Sequence, residues 1–305
     1  MKNKARFKGI LFGIIAAVAY GTNPLFSLPL YAEGLSPDSV LFYRYGIGVI
    51  LLGIILLIKG ESLKIQKKEI LPLLIFGIIF ACSSLFLYQS FLYMDAGIAC
   101  TILFIYPVLV AVIMAVFFKE KASWLTYSCI ILAMIGIALL YRGNGDTTLS
   151  TTGLILVALS SLCYAIYIVA VDHSRIRTMS STKMTFWILV FGSIVFIVRT
   201  RFLSELQLVP PTFYSWVNAI GIALFPTIIS LLFINISIKN IGPTFAAIFG
   251  ALEPVTALII GVFVFHEAIT VRIVIGALLI LIAVTLVVSG NNILAFFGKK
   301  SIKEN

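Results

Sequence analysis

Long apolar runs separated by short polar breaks recur along the whole chain. Ten of them, at 8–31, 37–58, 70–93, 96–118, 124–141, 152–171, 183–198, 213–238, 243–265 and 269–289, approach the length of a membrane crossing. A hydrocarbon core of about 30 Å takes roughly 20 helical residues. Backbone groups inside lipid must also find partners within the protein, which selects helices or a closed barrel. Runs of this length select helices, so the pattern predicts an all-α polytopic membrane protein of ten transmembrane helices. The seventh run is short and ends against Arg199 and Arg201. The first is too long for the apolar core of a cleavable signal peptide and continues through a polar turn.

Proline interrupts several of these runs. The ninth reads FGALEPVTALIIGVFVFHE over 249–267 and carries Glu253-Pro254 well inside its apolar length. The first reads AYGTNPLFSLPLY, with Asn23-Pro24 and then Pro29, while Pro107 breaks the fourth and Pro226 the eighth. A proline removes one backbone donor and opens the helix ladder, so another group must satisfy the freed carbonyl. Pro24, Pro107, Pro226 and Pro254 are therefore the candidate hinge or gating positions.

The breaks also repeat. Pro107 and Glu120 stand 147 positions before Pro254 and Glu267, which sets Tyr106 opposite Glu253 and Phe118 opposite Phe265. A shift of 144 sets Gly9 on Gly153, Tyr20 on Tyr164 and Phe42 on Phe186. Residues 1–145 and 146–305 then form two halves of five spans, joined at the polar turn 142–146. Five is odd, so the second half is inverted relative to the first. Inverted repeats are a signature of transporters that expose one site to each side in turn.

Charge fixes an expected orientation. Of 22 basic residues, seventeen gather on one side: the N-terminal group to Lys8, the groups at 59–68 and 119–121, Arg175, Arg177, Lys183, Lys239 and the C-terminal lysines. Arg142, Arg199 and Arg201 fall on the other side. The basic side is read as cytoplasmic, with both termini inside. Composition agrees: 61% of residues are hydrophobic and 11% charged, with a mean hydropathy of +1.13, against about a quarter charged in a soluble chain. The net charge of +10 thus reads as a topology signal, and nucleic acid is not an expected partner. Cys82, Cys100, Cys129 and Cys163 lie inside apolar runs without pairing or metal-ligand spacing and read as small buried hydrophobes.

The polar and aromatic residues within the spans are the candidate chemistry. Tyr20 and Asn23, three apart, share a helix face; they present either a broken helix to a cavity or a kink whose Asn caps a neighbour. Tyr88 and Gln89 end span three, and Gln89 should turn inward because lipid would leave its amide unpaired. Tyr106 precedes Pro107, and the carbonyls freed there are candidates for binding an amine. In span six, Ser160, Tyr164 and Tyr167 form one stripe at i, i+4, i+7, read either as packing or as binding. Asn235 in span eight reads as a gate or network residue, while Thr227 and Ser230 are weak candidates because such hydroxyls often bond their own backbone. Arg44, about seven residues into span two, is expected to snorkel outward and bond loop carbonyls or Asp95, with a role in outer gating as the alternative. Glu120 and Glu267 are expected to cap the next helices, with Arg272 a partner for Glu267. Glu253 keeps two open readings: a site of proton coupling or amine binding, or a hydrogen-bonded tie beside the kink. An ionisable group at that depth is by default functional.

Enzyme motifs dissolve on inspection. Gly143-Asn-Gly-Asp146 spells the string of intramembrane aspartyl proteases but lies in a polar linker, and His266-Glu267 lacks a second histidine. Neither a metal nor a cofactor is expected. The five-plus-five layout, the Pro…Glu spacing of spans four and nine, Tyr20-Gly-Thr-Asn-Pro24, Arg44 and LEPV at 252–255 together resemble the EamA family of the drug/metabolite transporter superfamily. The resemblance covers almost the whole chain. It implies a carrier of the cytoplasmic membrane that moves small organic metabolites, often amino acids and usually outward. It also implies a central cavity lined by spans one, three, four, six, eight and nine, with spans five and ten peripheral or in dimer contacts. The expected function is a secondary transporter, an exporter working by alternating access as monomer or homodimer. Its substrate is a neutral or zwitterionic solute, with proton coupling as an added possibility. A passive channel and a lipid-modifying membrane enzyme are the alternatives.

Overall fold

The computed structural model describes residues 2–94, 96–119, 124–141 and 150–264, with parts of 271–286. Asp95, Glu120, the linker 142–146, Phe265, His266 and Glu267 lie outside those residues. The described elements are helical: α1 (Lys2–Gly21), α2 (Asn23–Ala32), α3 (Pro37–Ile58), α4 (Lys67–Ser90), α5 (Ala96–Leu103), α6 (Tyr106–Phe118), α7 (Trp124–Tyr141), α8 (Thr151–His173), α9 (Ser181–Arg199), α10 (Phe213–Ala223), α11 (Ser230–Ile241), α12 (Pro243–Phe249) and α13 (Leu252–Val264). One π turn, Leu224–Ile229, joins α10 to α11. Among the described residues, seven helical stretches are long and apolar enough to cross a membrane: Ala5–Ala32, Pro37–Ile58, Lys67–Ser90, Thr151–His173, Ser181–Arg199, Phe213–Ile241 and Pro243–Val264. Tyr106–Phe118 is apolar but shorter.

Short polar side chains set where these helices begin. Ser36, Ser150, Ser180 and Thr212 each accept the backbone N–H of the residue three positions on, which satisfies one of the donors a helix start leaves over. At four of the proline breaks another group takes up the freed carbonyl. Pro24 leaves the carbonyl of Tyr20 without its helical donor, and Asn23 Nδ2 donates to it at 2.8 Å. Pro107 frees the carbonyl of Leu103, to which Ser161 Oγ donates at 3.0 Å. Pro226 frees that of Ile222, and Thr227 Oγ1 donates to it at 2.8 Å. Before Pro254 the chain tightens, and Glu253 N donates to the carbonyl of Gly250 at 2.9 Å. The Leu103 carbonyl expected to meet an amine is thus already occupied by span six.

Loop contacts define two ends of the bundle. At one end Arg199 clasps Asp38 through two 3.0 Å bonds, Ser215 donates to Glu33 and Ser36 N donates to Gln207. At the other, basic end Ser180 donates to Glu61, Trp187 Nε1 to the Leu63 carbonyl and Lys239 to the Met179 carbonyl. Helices α3 and α9 pack together and are tied to loops at both ends.

Between the ends, α1 runs along α11, α4 along α8 and α9, α6 along α8, and α1 along α13. These contacts are reciprocal in the repeat register. A Cβ on Gly9 would meet Asn240 and Ile241, and one on Gly153 would meet Tyr93 and Met94; Gly153 stands 144 beyond Gly9, and Asn240 and Ile241 stand 147 beyond Tyr93 and Met94. Likewise Gly48 faces Leu189 while Gly192 faces Tyr45, both 144 apart. Reciprocity of this kind, i on j and j on i, is what a twofold relation produces.

Candidate functional site

The polar side chains of the spans converge on one buried column. At its middle the rings of Tyr20 (α1) and Tyr164 (α8) stack at 5.7 Å, 8° from parallel. Tyr106 (α6) meets Tyr164 edge-on at 4.7 Å and donates its hydroxyl to Glu253 Oε1 (α13) at 3.2 Å. Tyr20 and Tyr164 are twin positions of the repeat, and so are Tyr106 and Glu253. Two glycines let the backbones close: a Cβ on Gly21 would strike the Glu253 carbonyl and Thr256, and one on Gly250 would overlap the Tyr106 hydroxyl.

Toward the Gln207 end, the column closes with a tie between α2 and α4. Tyr88 donates its hydroxyl to Asn23 Oδ1 at 2.7 Å. Toward the basic end it closes with a tie between α8 and α11, where Tyr167 donates to Asn235 Oδ1, also at 2.7 Å. Position 167 is 144 beyond 23, and 235 is 147 beyond 88. The same Tyr-to-Asn bond therefore occurs twice in matching places, with donor and acceptor exchanged between the paired helices. All four residues are buried.

The third member of each tie differs. Asn235 Nδ2 donates to Thr185 Oγ1 (α9) at 3.1 Å, a neutral bond. Asn23 Oδ1 instead receives Arg44 Nη1 (α3) at 3.1 Å. Arg44 also donates Nε to Thr227 Oγ1 at 2.5 Å and Nη2 to the Pro226 carbonyl at 3.1 Å, and it lies over the rings of Tyr20 and Tyr88 at 5.9 and 5.3 Å. Arg44 is 0% exposed. The expectation that it snorkels outward is therefore wrong: the rings of Tyr20 and Tyr88 flank it, and the π turn on span eight brings acceptors to it within the bundle. Burying such an ion costs several kcal/mol before its contacts are counted, which marks it as a site residue.

Of the expected site residues, the structure brings together Tyr20, Asn23, Tyr88, Tyr106, Tyr164, Tyr167, Asn235 and Glu253, with Pro24, Pro107, Pro226 and Pro254 at the adjoining breaks. Gln89 stands apart, half-buried. Ser160 belongs to the α4–α8 seam, where Ser83 and Ser160 donate to each other's carbonyls at 3.0 and 2.7 Å. Sequence reasoning missed Thr185, gave Ser161 no role of its own, read Arg44 chiefly as structural and undervalued Thr227. For Arg44 the signal was present, because an intramembrane cation is a functional candidate by default. Cys100 and Cys129 are buried, whereas Cys82 and Cys163 are only half-buried.

With this geometry in view, the likenesses to other proteins fall into place. A chain of known crystal structure, 16% identical, superposes with a TM-score of 0.78 over 93% of this chain and 97% of its own, which shows a shared fold. Among sequence relatives, "Uncharacterized transporter YxxF" of Bacillus subtilis (strain 168) is 26% identical, covering 85% of this chain and 83% of the relative. "Uncharacterized transporter YyaM" of the same organism is 27% identical over 86% and 88%. An "Uncharacterized transporter" of Archaeoglobus fulgidus is 26% identical over 89% and 93%. The model of the EamA-like transporter family matches twice, at residues 7–142 and 151–289, one match to each half. The chain, a multi-pass membrane protein, belongs to the EamA-like transporter family.

Proposed function

We propose that the protein carries a small organic solute, an amino acid or a related metabolite, across the cytoplasmic membrane by alternating access, in the outward direction. Two inverted halves of five spans form the carrier, with ten spans in all and both termini in the cytoplasm. The observation that carries this reading is the pair of equivalent ties, Asn23–Tyr88 and Tyr167–Asn235, set toward opposite ends of one column of tyrosines. Twofold-related halves can exchange conformations, so releasing one tie while keeping the other opens the column to one side at a time. The proline breaks beside Asn23, Tyr106, Thr227 and Glu253 supply hinges, because three of the freed carbonyls are held by side chains and the fourth, of Gly250, by a tightened backbone bond from Glu253, in place of the regular helix ladder.

Tyr20, Tyr106 and Tyr164 would line the binding chamber when it opens. Glu253 is the chamber's buried acid and the candidate for proton coupling. Proteoliposomes loaded with unlabelled solute from an amino-acid panel test the function. A carrier accelerates uptake of the labelled solute by counterflow, whereas a passive channel shows no such trans-stimulation.

A further inference from the structure

Arg44 is the one buried cation among the described residues, and no described carboxylate forms an ion pair with it. Its hydrogen bonds end on neutral oxygens of Asn23, Thr227 and Pro226. A buried charge held by neutral acceptors is the costly arrangement. At the equivalent tie a threonine, Thr185, completes the network without any charge, so closing a tie does not itself require a cation.

We infer that Arg44 anchors a carboxylate of the transported solute. When the Asn23–Tyr88 tie opens, the guanidinium exchanges its neutral partners for the two oxygens of the carboxylate. The planar fork of Arg matches a carboxylate through two parallel N–H···O bonds. The flanking rings of Tyr20 and Tyr88 hold that fork beside the column, because a guanidinium packs on aromatic faces. Tyr20 links the anchor to the chamber, since its other neighbour is Tyr164. The body of the solute therefore lies against the tyrosines.

The charge inventory narrows the class further. No second buried cation among the described residues is available to pair a phosphate dianion. Tyr20 packs on Arg44 on one side and on Tyr164 on the other, and Tyr164 meets Tyr106, whose hydroxyl holds Glu253, so an acid sits across the tyrosines from the anchor. Monocarboxylates and zwitterions fit this arrangement; phosphate esters and dicarboxylates do not. The basic-end tie lacks an equivalent anchor, so recognition of the carboxylate is one-sided. This assignment rests on the transport reading given above.

The test is peptide-resolved mass spectrometry of phenylglyoxal labelling at Arg44, on the full chain in nanodiscs. The probes are L-leucine, L-phenylalanine, glycine and benzoate, each beside its own amide, with inorganic phosphate as a further arm. At least one acid should slow labelling of Arg44 about tenfold, the scale of a charge-assisted hydrogen bond, while its amide leaves labelling unchanged. Equal protection by acid and amide, protection by no acid, or stronger protection by phosphate overturns the assignment. An Arg44 that never reacts overturns it too, because an anchor must become reachable. Arg44→Lys keeps the charge and loses the fork, so the protecting acid should need about tenfold more concentration to stabilise the variant half-maximally in thermal unfolding; an unchanged requirement contradicts the anchor. Counterflow of the same acid separates the two claims. Protection without counterflow keeps the anchor and sinks the transport reading, and counterflow without protection does the reverse.

Discussion

The two ends of the tyrosine column are built from the same bond and finished differently. Asn23–Tyr88 and Tyr167–Asn235 both join a tyrosine hydroxyl to an asparagine oxygen at 2.7 Å. At the basic end Asn235 Nδ2 donates to Thr185. At the Gln207 end Asn23 serves three partners: the Tyr20 carbonyl, Tyr88 and Arg44. Duplication accounts for the shared bond, and the arginine is where the halves have diverged. A closure can thus be neutral or charged with the same geometry, and the charged one is the place to look for chemistry beyond closure.

Substitutions at the asparagines probe that difference with the largest expected effect. Asn23→Ala removes a side chain serving three partners and leaves Arg44 one acceptor fewer. It should lower unfolding stability in detergent by about 3 kcal/mol, at roughly 1 kcal/mol per lost hydrogen bond. Asn235→Ala should cost about 2 kcal/mol on the same scale. Equal losses would show that the two ties are energetically alike and that Arg44 adds nothing to the first.

Tyr88→Phe and Tyr167→Phe remove the shared bond alone. Each should cost about 1 kcal/mol, and the two should match in stability while differing in which side of the membrane gains access to the column. A twofold difference in their stability losses would mean that the flanking Arg44 and Thr185 already reshape the bond itself.

Glu253→Gln should have the smallest effect on stability, under about 1 kcal/mol, because the amide oxygen still accepts from Tyr106. Its effect should fall on function, with accumulation driven by a pH gradient lost and solute exchange retained. Unchanged pH-driven accumulation in proteoliposomes would remove Glu253 from any coupling role.

Much of this was legible in the chain. Prolines 24, 107, 226 and 254 announce breaks because their chemistry is local, and the offset of 147 between Pro107 and Pro254 needs only counting. Tyr20, Asn23, Tyr106, Tyr164 and Glu253 are conspicuous because polar groups are scarce in apolar spans. The partners were not legible. Arg44 meets Thr227 across 183 positions, and neither residue's helical period announces the other. Its place about two turns into span two looked shallow enough for an extended side chain to reach water, but depth along a helix does not report which rings cover it. Thr227 was discounted because hydroxyls often bond their own backbone; it does so, to Ile222, and accepts from Arg44 as well. Ser161 likewise faces two ways, its single hydroxyl proton shared between the Val157 carbonyl of its own helix and the Leu103 carbonyl freed by Pro107.

The central claim is that the two ties are gates on opposite sides of one site. Sided thiol labelling of Tyr20→Cys tests it most directly, in a chain whose four native cysteines are replaced. Membrane-impermeant maleimide would be applied to right-side-out and inside-out vesicles carrying either Tyr88→Phe or Tyr167→Phe. Alternating gates predict that one substitution raises labelling of position 20 from one side and the other raises it from the opposite side. Increased labelling from the same side in both variants, or from neither side in either, would contradict the account.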